Sequence, residues 1–128
     1  MDDERTDATG STPTAAQTAC FEAGIKFGSL YHQFAGTPVS VGSAASLARA
    51  MEEAIENQPG CRAVSVTVRD AELAAALEAG PASYTELTGR FLEVEISVEH
   101  DGVAVLARME MEDGYPLMRV VSVEDADG

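Results

Sequence analysis

The amino-acid sequence predicts an α+β fold: a single domain with element order ααβαβββ, a mostly antiparallel sheet and its helices on one face. Three observations predict it. Apolar residues in the first half recur at helical spacing, from Cys61 onward they alternate with polar ones, and two Asp-Gly dipeptides divide the last third into successive strands. Runs of helix followed by runs of strand pack most simply as one sheet with helices over one face.

Taken in order, residues 1–11 are polar and charged with nothing to bury, which predicts a disordered acidic tail. The single domain then spans residues 12–123, and residues 124–128 form a second short acidic tail. Thr12 before Pro13 has the form of an N-cap with proline in the first turn, opening a helix that runs to about Phe34. Gly36, Thr37 and Pro38 end it. A second helix is predicted from Ser43 to Asn57, with Leu47, Ala50, Met51, Ala54 and Ile55 on one face, closed by Gln58, Pro59 and Gly60. Val64, Val66 and Val68 then alternate with Ser65, Thr67 and Arg69, as in a half-buried strand. Asp70 can cap a short helix, Ala71 to Ala79, which Gly80 and Pro81 terminate. Leu92, Val94, Ile96 and Val98 alternate with Glu93, Glu95, Ser97 and Glu99. Asp101-Gly102 and Asp113-Gly114 are dipeptides suited to two-residue turns, in which both central residues need positive φ. They delimit strands Phe91–His100, Val103–Glu112 and Tyr115–Val123, paired as a meander.

Composition narrows the partners. In 128 residues there are 22 Asp and Glu against seven Arg and one lysine, Lys26, for a formal charge of -14. Binding nucleic acid requires clustered cations to neutralise phosphates, so nucleic acid is excluded as a partner. An acidic, lysine-poor surface suits a protein in strong salt, where screening relieves its self-repulsion. No apolar run reaches 18 residues and the amino terminus is acidic, so no membrane span or signal peptide is predicted and the protein is expected in the cytoplasm. Cys20 and Cys61 are far apart with no CxxC spacing; neither a disulfide framework nor a metal site is expected, and both read as small buried hydrophobes. An Ala-rich core with 5% aromatics favours further burial between subunits, hence a homo-oligomer.

The segment FEAGIKFGSLYHQFAGTP, Phe21 to Pro38, is unusually polar for a helix buried on one side. At 100° per residue Phe21, Ile25, Gly28 and His32 share one stripe and Glu22, Lys26, Ser29 and Gln33 the next. Glu22 and His32 are about 15 Å apart along the axis, too far for a dyad but within reach of opposite ends of one bicyclic ligand or of sites shared between subunits. Each residue also has a plain structural reading. A lone histidine on such a stripe serves core or interface, Glu22 with Lys26 four residues on makes a surface pair, Gln58 ends a helix, and Tyr115 packs its ring in a strand. Phosphate-loop, dinucleotide-binding, nucleophile-elbow and metalloprotease signatures are absent.

The blocks FEAGIKFGSLYHQFAGTPVS, EEAIENQPG before a valine-rich strand, and DGYPLM in the last third resemble the archaeal type of dihydroneopterin aldolase, over about Ala15 to Val123. The resemblance implies a lyase that cleaves 7,8-dihydroneopterin without metal, cofactor or Schiff base, assembled as a tetramer with sites near subunit interfaces. It carries the substrate-binding positions onto Glu22 and Gln58 and the catalytic positions onto His32 and Tyr115. A carboxylate can accept the two parallel donors of a pterin edge, and an amide offers a donor and an acceptor. Histidine and tyrosine can exchange the protons, which of them is acid and which base being open. Lys26, the only possible imine former, reads as a positive partner for nearby carboxylates. The competing reading is a non-catalytic oligomer that holds a pterin or purine with Glu22 and Gln58. The acidic surface leaves the downstream cofactor pathway open, and no site residue is drawn from Ala71 to Arg90.

Overall fold

The computed structural model describes residues 10–125. Helix α1 spans Ala15–Phe34, α2 Ala44–Glu56 and α3 Asp70–Ala79; strands are β1 Pro38–Val39, β2 Cys61–Val68, β3 Thr85–Glu86, β4 Leu92–His100, β5 Val103–Glu112 and β6 Tyr115–Asp125. The long elements follow the predicted α+β order. All strand pairs are antiparallel, with four strands in the order β2-β4-β5-β6 and the short β1 and β3 paired to each other. Two-residue strands carry no readable alternation, which is why the sequence does not announce them.

Local chemistry sets the boundaries. Helix α1 starts two residues later than Thr12 suggests because Thr14 forms a complete capping box: its hydroxyl accepts the Gln17 N–H at 3.0 Å and the Gln17 side chain accepts the Thr14 N–H at 2.9 Å. Asp70 is the first residue of α3 and does not cap it; Arg69 holds the cap position. Both hairpins turn as predicted, with positive φ at Asp101 and Gly102 (49° and 81°) and at Asp113 and Gly114 (52° and 80°). The last strand outruns its predicted end at Val123. Glu124 and Asp125 pair with Ala104 and Val103, so the predicted second tail begins inside β6. Residues 1–9 and 126–128 of the predicted tails lie outside the described residues.

The core lies between the helices and one sheet face. Val64, Val66, Val68, Leu92, Val94, Ile96, Val98, Val105, Ala107 and Met109 alternate inward, and α1 covers β4 and β5 while α2 covers β2. Helix α1 meets the sheet with Ala19, Ala23, Phe27 and Leu30, whereas Phe21, Ile25, Gly28 and His32 are exposed. In α2, Met51 and Ile55 are buried but Ala50 faces solvent. Cys20 and Cys61 are free thiols and only half-buried. The opposite sheet face is open and polar: Arg108 grips Glu95 with Nε at 2.8 Å and Nη2 at 2.6 Å, and Arg119 bridges Glu110 and Glu112 at 3.0 and 3.1 Å.

The two sheet edges differ. On β2 the amides of Val64 and Val66 donate to carboxylates of α2, Glu56 at 3.2 Å and Glu52 at 2.9 Å. Among the described residues strand β6 has no partner on its outer side, and Met118, Val120, Val121 and Val123 stand 41–46% exposed along it.

Candidate active site

Helix α1 supplies one wall. Glu22, Lys26, Ser29 and Gln33 follow each other turn by turn: Lys26 Nζ donates to Glu22 Oε1 at 3.2 Å, and Gln33 Nε2 donates to Ser29 Oγ at 2.9 Å. The Glu22–Lys26 pair is not the surface pair its spacing suggests. Lys26 is 2% exposed, the only fully buried charged side chain among the described residues, while the Glu22 side chain is 38% exposed. A buried ammonium needs a counter-charge, and the carboxylate supplies it at the rim.

Gln58 comes to this wall by a tight turn. Pro59 and Gly60 (φ 80°) occupy the two central positions and the Cys61 N–H donates back to the Gln58 carbonyl at 3.3 Å, the arrangement that favours proline first and a positive-φ glycine second. The turn is anchored to the sheet by Glu99 N–H donating to the Gly60 carbonyl at 3.0 Å. From its corner Gln58 Nε2 donates to Ser29 Oγ at 3.0 Å, tying the loop to α1. Between Glu22, Pro59, Gly60, Val98, Glu99 and His100 lies an open groove of about 240 Å³. A larger hollow of about 340 Å³ between α2 and β2 includes none of the four predicted residues and carries Arg49, Glu52 and Asp70 at its rim. Beneath the groove, burial pushes the Cys61 thiol above its ordinary range, the Lys26 charge pulls it down and Glu56 pushes it up.

Glu22 therefore shares the groove with Pro59 and Gly60 of the turn, while the Gln58 side chain reaches α1 at Ser29, seven residues on from Glu22 and roughly 10 Å along the helix axis. His32 is exposed on the outward stripe of α1, one turn beyond Ser29. Tyr115 is elsewhere. It pairs with Glu112, and its register puts it on the open sheet face opposite the helices, 65% exposed and not packed as an ordinary strand residue. Val98 of the groove pairs with Val105, so along β5 the groove and Tyr115 are seven residues apart, roughly 23 Å at the rise of a strand. Beside Tyr115, Pro116 packs onto Gly89 so tightly that a Cβ there would stand 2.6 Å from the proline Cβ, and the Gly89 N–H donates to the Tyr31 hydroxyl at 3.3 Å.

Sequence reasoning missed three things here. Nothing in the i, i+4 spacing of Glu22 and Lys26 signals which of them is buried, and nothing marks His100 before its hairpin turn as part of the groove. Gly89 lies in the stretch from which no site residue was drawn; its signal would have been a glycine with no turn to explain it. Among the described residues no cluster of three or more His, Cys, Asp or Glu has metal-holding geometry, and no helix is long and apolar enough to cross a membrane.

The profile of the dihydroneopterin aldolase family matches residues 14–121. A dihydroneopterin aldolase of Methanopyrus kandleri is 39% identical over 110 residues, 84% of this chain and 88% of that protein; one of Picrophilus torridus is 31% identical over 107 residues, 82% and 86% respectively. A crystal structure of a Picrophilus torridus protein superposes with a TM-score of 0.73 at 28% identity, over 95% of this chain and 97% of that one. These relationships put the protein among the aldolases, enzymes that act on a carbon–carbon bond. The chain belongs to the dihydroneopterin aldolase family.

Proposed function

We propose that the protein cleaves 7,8-dihydroneopterin into 6-hydroxymethyl-7,8-dihydropterin and glycolaldehyde, as a homo-oligomer, a tetramer by family resemblance, in which a second copy brings Tyr115 to the groove of the first. Glu22 accepts two parallel hydrogen bonds from the ring N–H and exocyclic amine of the pterin, and Gln58 meets the remaining polar edge. His32 and Tyr115 move the protons. A base takes the proton from the hydroxyl on the second side-chain carbon, that carbon becomes the aldehyde, and the bond to the first carbon breaks. Its electrons pass into the C6=N5 imine of the pterin. An acid then returns a proton to the first carbon, restoring the imine and leaving the hydroxymethyl group. Because the substrate carries its own electron sink, the reaction requires neither a lysine imine nor a metal ion.

The observation that carries this reading is that the turn carrying Gln58 packs against α1 beside Glu22: Pro59 and Gly60 line one groove with Glu22, and Gln58 bonds to Ser29 on the same helix stripe. Two further features support the second copy. The groove is open and, at about 240 Å³, smaller than the roughly 300–1,000 Å³ that encloses a ligand, as expected of a site that a second copy completes. Exposed apolar residues, Phe21 and Ile25 on α1 and Met118, Val120 and Val123 on β6, offer surface for another copy to cover.

Mixing two inactive variants tests the whole reading. Glu22→Ala is expected to raise KM and Tyr115→Phe to lower kcat, each leaving little activity under dilute substrate. In randomly reassembled mixed oligomers about a quarter of the shared sites recover both wild-type residues, so glycolaldehyde release should return to about a quarter of the wild-type rate. No recovery would place all four groups in one chain or remove Tyr115 from the reaction. Tight pterin binding by the wild-type protein without glycolaldehyde release would overturn the proposed reaction.

A further inference from the structure

Resting on the reading of Glu22 as the group that holds the pterin edge, we infer that Lys26 is a positioning residue that sets the selectivity of that carboxylate. The Lys26 side chain is 3% exposed and that of Glu22 is 38% exposed, so a molecule in the groove meets the carboxylate and not the ammonium. Lys26 acts through Glu22.

What it does follows from geometry. A glutamate on a helix has three rotatable bonds and, at a half-exposed site, swings among several orientations. Here Oε1 is tethered by Lys26 Nζ at 3.2 Å, one helical turn away on a side chain that the core immobilises. An ionised carboxylate has about four lone-pair positions, of which the tether uses one, so both oxygens remain able to accept from a ligand. With Oε1 fixed, Oε2 has a fixed direction as well, and the pair presents a flat two-acceptor edge. Such an edge matches two adjacent N–H donors and opposes a donor next to a carbonyl. A free carboxylate would rotate and satisfy either ligand with a single oxygen. Selectivity for the 2-amino pterin over its 2-oxo analogue, in which a carbonyl replaces the amine, therefore depends on the tether. Ser29 accepts from both Gln33 and Gln58, so the loss of Lys26 removes neither of the hydrogen bonds that hold the neighbouring turn of the wall.

The test compares dissociation constants for neopterin, an oxidised and uncleaved pterin, and for its 2-oxo (lumazine) analogue, followed by the intrinsic fluorescence of the heterocycle. Wild-type protein should prefer neopterin. Lys26→Met and the uncharged donor Lys26→Gln should both lose about tenfold of that preference, whereas Lys26→Arg, which keeps charge and donor, should keep it within about threefold. With saturating dihydroneopterin, kcat of Lys26→Met should stay within about threefold of wild type while KM rises. Unchanged selectivity in both uncharged variants would overturn the inference, as would a collapse of kcat without a change in selectivity, which would put Lys26 in the chemistry. If the uncharged variants do not fold, the crystal structure of the wild-type protein with neopterin decides. Both Glu22 oxygens on the pterin edge with Lys26 Nζ still on Oε1 supports the inference, and Lys26 released from Glu22 and touching the ligand overturns it. Failure of the wild-type protein to bind any pterin would instead sink the proposed function.

Discussion

Gly89→Ala probes the contact that seats Tyr115. The added Cβ would stand 2.6 Å from Pro116 Cβ and 2.7 Å from its Cγ, where ordinary contact begins near 3.4 Å, so one side has to yield by about 0.8 Å. Neither yields easily. Pro116 is a rigid ring held in the β5–β6 ladder opposite Met111, and Gly89 is pinned by its N–H on the Tyr31 hydroxyl, itself 3.3 Å from the new atom. Overpacking of this kind costs about 1–3 kcal/mol, and for a domain of this size each kcal/mol lowers the melting temperature by about 3–6 °C. The displacement also reaches Tyr115, the next residue, and in the proton-transfer role proposed for it a misplacement of about 1 Å would cost up to about 100-fold in turnover. Urea unfolding and glycolaldehyde release measured on the same preparation should show both losses, with KM for the pterin changed less than kcat. A variant as stable as wild type would refute the packing argument. A destabilised variant with full kcat would show that Tyr115 is not placed by this contact.

Three further outcomes follow from the structure. Gly60→Ala puts a side chain at φ 80° with only ordinary contact to the Glu99 carbonyl, so the cost is backbone strain of about 1–2 kcal/mol; the urea midpoint should fall and pterin affinity with it, because Gln58 stands on that turn, and an unchanged midpoint would contradict it. With a formal charge of -14, the melting temperature should rise from 0.1 M to 1 M KCl as the screening length falls from about 10 to about 3 Å, and a fall would mean that the acidic surface does not strain the fold. In Cys20→Ser protein, iodoacetamide should modify Cys61 with an alkaline rise above that of a free thiol peptide, since the thiolate is the nucleophile and burial disfavours it; a rise at lower pH would mean that Lys26 outweighs burial.

Much of the architecture was legible because its periods are unambiguous. The alternation of Val64 to Val68 and of Leu92 to Val98, and the two Asp-Gly turns, predict three hairpin-linked strands and one further half-buried strand, whose pairing with β4 only the structure supplies. The hairpin register even contains the separation of Tyr115 from Glu22, since pairing with Glu112 assigns the tyrosine to the face away from Val105. What could not be read is how α1 rotates against the sheet. Its exposed stripe includes Phe21 and Ile25 while a lysine goes inward, the reverse of what hydrophobicity prescribes; Ala19, Ala23, Phe27 and Leu30 take the sheet side instead. The Pro59-Gly60 turn was visible, but not that it would hand Gln58 to Ser29.

The carboxylates of Glu52 and Glu56 on the β2 amides have a consequence for architecture beyond the single chain. An antiparallel sheet with both rims bare can recruit strands indefinitely, which is the route to fibres. Here two amides on one rim of the four-stranded sheet are stoppered by the chain's own helix, leaving β6, among the described residues, as that sheet's open rim. Two copies joined there would consume both free rims at once, so growth by strand addition halts at a pair and anything larger has to be built through faces. Removing the stopper with Glu52→Ala and Glu56→Ala would let a pair built in that way add further strands at β2.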